Sequence, residues 1–203
     1  MAQVASPDRL LIRAVAVGED ALRRLAYSDP ESFPVLFDSA ASGPLSRYSI
    51  LAAYPQAALW QDGCGRLHTH GMPAPTGSGF LAALEAAWRR ERHGEAGEAG
   101  EAGEAADPGG SAPGPFRGGW VVFLGYELAA EIEPQLHLVS RVPVDAAAPA
   151  AFALRIPAGL AYDHVARRAW LFAQDGREEL LDALAAALAE LPAGVPGAAA
   201  AVG

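Results

Sequence analysis

The 203 residues suffice for one large domain or two small ones with a sizeable core. The formal net charge is −9, but Glu95, Glu98, Glu101, Glu104 and Asp107 share one low-complexity stretch without a base, so the rest carries an ordinary −4. No basic stripe exists to neutralise phosphates, which excludes nucleic acid as the main partner, and a lone Cys64 excludes an intrachain disulfide framework or a thiolate zinc cluster.

Residues 2–7 (AQVASP) lack the basic and apolar regions of a signal peptide, and no window reaches 18 apolar residues without charge. Both point to a cytoplasmic protein without a membrane span. Residues 10–17 (LLIRAVAV) read as a strand, and 20–26 as a short helix with Leu22 and Leu25 inward. Residues 33–37 (FPVLF) form a second strand that ends at Asp38-Ser39. Residues 47–51 (RYSIL) open a third, with extended character up to Trp60, and Asp62-Gly63 turns a hairpin into residues 66–70. Residues 78–93 are the first long helix, with Phe80, Leu81, Leu84 and Trp88 on one face and arginines at its negative end. The repeat GEAGEAGEAGEA then places glycine at every third position; residues 94–115 are read as a disordered insertion.

Residues 116–134 (FRGGWVVFLGYELAAEIEP) combine a glycine pair, an apolar run and a glycine corner. Trp120–Leu124 has the pattern of a strand buried on both faces, and Gly125 breaks it into a short helical turn stopped by Pro134. The Tyr126-Glu127 pair there reads either as a site or as a pinned corner. Residues 136–139, 151–156, 159–162 and 169–173 follow as strands. A last helix starts at Asp175, with Glu178 three residues on as in a capping box, and carries Leu180, Leu181, Leu184, Leu188 and Leu191 inward. The sum is an α+β fold of mostly antiparallel sheet flanked by three or four helices. One domain covers 1–193, and 194–203 form a disordered tail.

His68 and His70 share a strand face without completing a metal set. The polar residues at strand ends carry more. Asp38-Ser39 closes one strand and Arg47-Tyr48-Ser49 opens the next. Carboxylate, hydroxyl and guanidinium together can hold a zwitterion, or Asp38 and Arg47 can simply pair and fix the loop.

Three segments together resemble the N-terminal region of component I of aminodeoxychorismate synthase and anthranilate synthase, the chorismate-utilising enzymes. Val35-Leu36-Phe37-Asp38-Ser39 is similar to that family's Leu-Leu-Glu-Ser segment, and Arg47-Tyr48-Ser49-Ile50-Leu51 to its Arg-Tyr-Ser strand. Gly118-Gly119-Trp120 through Gly125-Tyr126-Glu127-Leu128 to Glu133 is similar to its Gly-Gly and Gly-Tyr-Glu-Leu pattern. Tyr162-Asp163-His164, followed by Trp170-Leu171, resembles a later strand pair. The ending Ala-Ala-Glu-Ile-Glu-Pro favours the aminodeoxychorismate branch.

The resemblance implies a component I N-terminal domain that is inactive alone. The family reaction replaces the C4 hydroxyl of chorismate with ammonia on the route to p-aminobenzoate and folate. Its chorismate pocket, magnesium carboxylates and acid/base groups belong to a C-terminal half with no counterpart in these residues. No catalytic residue, cofactor or metal is therefore expected here, and Mg2+ only in that half. The implied partners are a separate catalytic half, a glutamine amidotransferase subunit and tryptophan. Asp38, Ser39, Arg47, Tyr48 and Ser49 would be this chain's share of an aromatic amino-acid site, with Asp38 one methylene shorter than the usual Glu. The alternatives are a non-catalytic aromatic amino-acid-binding regulatory module, the anthranilate synthase equivalent, or a truncated product.

Overall fold

The computed structural model describes residues 10–39, 46–75, 79–95, 116–133, 135 and 148–191. In chain order they form β1 (Leu10–Val15), α1 (Asp20–Ser28), β2 (Val35–Phe37), β3 (Tyr48–Ala53), β4 (Ala57–Gln61), β5 (Leu67–His70) and α2 (Phe80–Glu95). There follow β6 (Gly119–Leu124), a 3-10 turn (Tyr126–Leu128), α3 (Ala129–Ile132), β7 (Ala151–Ile156), β8 (Ala158–Asp163), β9 (Arg168–Gln174) and α4 (Glu178–Glu190). These elements divide into two compact units, each with its own antiparallel sheet. The α+β class read from the sequence is the class observed.

The first unit takes the described residues up to Tyr54, residues 116–117, and those from Ala158 onward. Its five strands run in the order β1-β9-β8-β3-β2. Alternation along each strand sorts side chains between the two sheet faces. Leu51, Leu160 and Leu171 turn towards α1 and α4, where they meet Leu22, Leu25, Leu181 and Leu184. Each of these leucines is at most 5% exposed, and full burial of such a side chain is worth about 1.5–3 kcal/mol. Ile50, Ala161 and Phe172 occupy the other face with Tyr48, Phe116 and Trp170. Gly159 is required by its neighbours: a Cβ there would lie 2.3 Å from the Leu51 carbonyl oxygen and 2.6 Å from Phe172 Cζ.

The second unit holds the order β5-β4-β7-β6. The β4–β5 hairpin is tied by Asp62, whose Oδ1 accepts the N–H groups of Cys64 and Arg66, each at 2.9 Å. Helix α2 lies on this sheet through buried Phe80 and Ala83, against Leu59, Ala151 and Ala153. Its first turn is capped from a distance: the Glu131 carboxylate accepts Phe80 N–H at 3.0 Å and Leu81 N–H at 2.7 Å. Further along α2, Glu91 accepts Trp120 Nε1–H at 2.7 Å and pairs with Arg155, joining the helix to β6 and β7.

Three expectations change. Among the described residues strand β6 is an edge strand, with Val122, Phe123 and Leu124 42, 47 and 45% exposed. A continuous apolar run reports the absence of polar side chains, which an uncovered edge shares with a buried centre. Extension from β3 to Trp60 is interrupted at Tyr54, whose φ of 55° turns the chain before β4 begins. Helix α4 starts at Glu178 with Arg177 at the N-cap and no side-chain cap bond, because Gly176 (φ 74°) forms a turn first. Cys64 is exposed. The strand read at 136–139, the tail at 194–203 and residues 96–115 of the insertion lie outside the described residues; Gly94 and Glu95 belong to α2. Among the described residues no helix is long and apolar enough to cross a membrane.

Candidate functional site

Strands β2 and β3 pair antiparallel, with Phe37 opposite Ile50, so Asp38 and Ser39 emerge beside the start of β3. On the other side β8 sets Tyr162 opposite Ser49 and Asp163 opposite Tyr48. All five residues singled out in the sequence thus come to one end of the first sheet, and Asp163 and His164 join them.

Ser49 is the hub. It is 1% exposed, and its Oγ accepts Ser39 N–H at 3.0 Å, lies 3.0 Å from Asp38 Oδ1 and 2.8 Å from His164 Nε2. A hydroxyl has one proton and two acceptor positions. With Ser39 N–H on one acceptor position and the Asp38 carboxylate taking the proton, the remaining position suits an N–H from His164 Nε2. His164 Nδ1 is 3.2 Å from Glu19 Oε2, and the ring meets Tyr162 edge-on at 5.0 Å. The His164 backbone N–H is held by the Arg47 carbonyl at 2.8 Å. Serine, histidine and carboxylate are spaced as in a nucleophilic triad. The Ser49 oxygen, however, is buried and its hydrogen-bonding capacity is filled, so no approach remains for a substrate carbonyl.

The charges pair differently from the Asp38–Arg47 bridge entertained above. Arg47 donates through Nε (2.9 Å) and Nη2 (2.8 Å) to Asp163 Oδ2, while Asp38 Oδ2 pairs with Arg23 Nε of α1 at 3.2 Å. Register explains the exchange, since β8 delivers Asp163 directly across from Tyr48, the residue after Arg47. Burial pushes the Asp163 carboxyl up, but the Arg47 hydrogen bond and the N–H groups of Ala166 and Val165 outweigh it and hold the group below the usual carboxylate range. Hydrogen bonding to Asp163 raises the Arg47 guanidinium against partial desolvation. Arg47 also lies over the Tyr48 ring, 4.9 Å from its centroid, and its side chain is 51% exposed.

Sequence reasoning left Asp163 in the later strand pair, and the structure ends β8 on it, with its Oδ1 accepting the Val165 and Ala166 N–H groups at 2.9 Å. It missed that the same carboxylate serves Arg47, and that Glu19, Arg23 and His164 close the cluster. The β3–β8 register and the placement of α1 beside the sheet carry that information. His68 differs in a smaller way: its Nε2 sits 2.9 Å from Asp62 Oδ2 and its ring stacks on Trp60 at 5.2 Å. Among the described residues no group of three or more His, Cys, Asp or Glu side chains is placed to hold a metal.

Searches by sequence match neither a protein-family model nor a curated protein. Among solved structures, the chain is similar to anthranilate synthase component I from Streptococcus pneumoniae TIGR4, with 19% identity and a TM-score of 0.49. That alignment covers 91% of this chain and 38% of the other.

Proposed function

We propose that this chain is the N-terminal-type region of a component I chorismate enzyme, of the aminodeoxychorismate branch, and that the Ser49 cluster is its part of an aromatic amino-acid site. The carrying observation is convergence. Segments 35–39 and 47–51 and the Tyr162-Asp163-His164 segment, quoted above as separate motif matches, lie on adjacent strands and meet at one Ser49 hydroxyl. A zwitterion has complementary groups there. The half-exposed Arg47 retains donors beyond the two spent on Asp163, and Asp38, with 33% of its side chain exposed, is an acceptor for an ammonium group.

The chemistry assigned to this region is binding and positioning. The exchange of the chorismate C4 hydroxyl for ammonia, the Mg2+ it uses and the amidotransferase that supplies ammonia go with the family's C-terminal half. Calorimetric titration with L-tryptophan tests the site: saturable binding is expected, weakened at least tenfold (about 1.4 kcal/mol) by Arg47→Ala. Incubation with chorismate, ammonia and Mg2+ tests the division of labour. Turnover is expected only after a catalytic half is added, and turnover by this chain alone refutes the assignment.

A further inference from the structure

Among the described residues β6 pairs only with β7, and its second edge has no strand partner among them. Natural edge strands are protected by charge, proline or a bulge. The sequence of β6, GWVVFL, contains no charge and no proline. Its exposed side chains also point both ways. Val122 lines a groove of about 330 Å³ with Trp120 and the α2 residues Leu81, Leu84 and Trp88, whereas Phe123 stacks on Phe152 from the opposite face at 5.3 Å. A helix laid on either face would cover one set; a strand added at the edge covers both.

We propose that the added strand is β6 of a second copy, running antiparallel with Val122 on the twofold axis. Three observations favour this occupant. The first is backbone parity. Gly125 N–H bonds the carbonyl of Ala150, its continuation of the β6–β7 register, so the odd residues face β7 and Trp120, Val122 and Leu124 turn their backbone groups outward. Pairing with its own copy as a hydrogen-bonded central pair uses a residue's own N–H and C=O, and those of Val122 point out.

The second is charge. Arg117 lies two residues before the strand and Glu127 three after it, so antiparallel pairing about Val122 sets Arg117 towards Glu127 of the second copy. The third is area. Trp88, Phe123 and Tyr126 are 45, 47 and 98% exposed, and with aromatic side chains burying roughly 150–250 Å² each, they and the two aliphatic residues offer about 500 Å² per copy. A total of about 1,000 Å² is the floor of specific interfaces, which sets a reversible dimer rather than an obligate one.

Sedimentation velocity on the full chain, from low-micromolar to submillimolar concentration, reads the equilibrium. The expected result is a concentration-dependent shift towards twice the chain mass, with Val122→Lys weakening association at least tenfold because it sets like charges together on the axis. Val122→Thr, uncharged and compatible with a strand, retains the dimer and separates pairing from folding. In a Cys64→Ser background, oxidised Val122→Cys is expected to form a disulfide-linked dimer, and Val121→Cys, which pairs with Phe123 rather than itself, is not. A chain that stays monomeric throughout, or crosslinks equally at both positions, overturns the proposal.

Discussion

Replacing Ser49 with alanine probes the hub most directly. The substitution removes one oxygen atom from a position that is 1% exposed and three hydrogen bonds with it, to Ser39 N–H, Asp38 and His164. A net value of about 1 kcal/mol per bond is typical, and a donor left unpaired away from water costs about 1–3 kcal/mol. Asp38 keeps Arg23 and His164 keeps Glu19, so the uncompensated loss falls mainly on Ser39 N–H. The expected destabilisation is about 2–3 kcal/mol, or roughly 5–10 °C in melting temperature at this chain length. Urea unfolding followed by circular dichroism gives the energy, and hydrogen exchange at the Ser39 amide shows whether the loss is local. A cycle with Asp38→Ala should return a coupling of about 1 kcal/mol. Stability within about 0.5 kcal/mol of the parent, with Ser39 still protected, refutes the hub and leaves the short distances without energetic meaning.

Three further outcomes follow from the same reasoning. Glu131→Ala uncovers two N–H groups of α2 and should cost about 1–2 kcal/mol in urea melts, with Glu131→Gln costing less because one acceptor oxygen survives. Gly159→Ala drives a methyl into the Leu51 carbonyl and the Phe172 ring; a loss of about 3 kcal/mol or more, or no folded protein at all, is expected in the same assay. The Asp163 carboxyl is depressed in the folded state, so its contribution is present above the ordinary carboxylate range and lost as pH falls through the lowered folded value. Asp163→Asn should therefore flatten the acid limb of the stability–pH profile and leave the alkaline limb unchanged.

The elements were legible because local pattern governs them. Strand β7 occupies 151–156 as read, α1 extends its predicted span by two residues at its C-terminal end, and β9 extends by one residue at each end. Pairing beyond the β4–β5 hairpin was not legible. Nothing in the composition of WVVFL tells an edge from a centre, and nothing near Arg47 in the sequence names Asp163, which lies 116 residues away. The five candidate residues could be listed from motif order, but their partners Glu19, Arg23 and His164 are supplied by α1 and the β8–β9 turn. Glu131 was hidden for the same reason, since its role depends on a helix 50 residues earlier.

The interleaving of the two units also has a kinetic consequence. Strand β1 pairs with β9, Leu10 opposite Gln174, and β3 pairs with β8, Tyr48 opposite Asp163. During synthesis at about 5–20 residues per second, β3 leaves the ribosome several seconds or more before its neighbour exists. Over that interval Tyr48–Ala53 is an uncharged strand whose central side chains are destined for burial, paired at most with the short β2. The β4–β5 hairpin, by contrast, closes within 14 residues and needs nothing downstream. Production of this protein should consequently be governed less by its final stability than by how long the first sheet is kept waiting. Slowed translation across residues 55–157 is the change most apt to send the chain into aggregates.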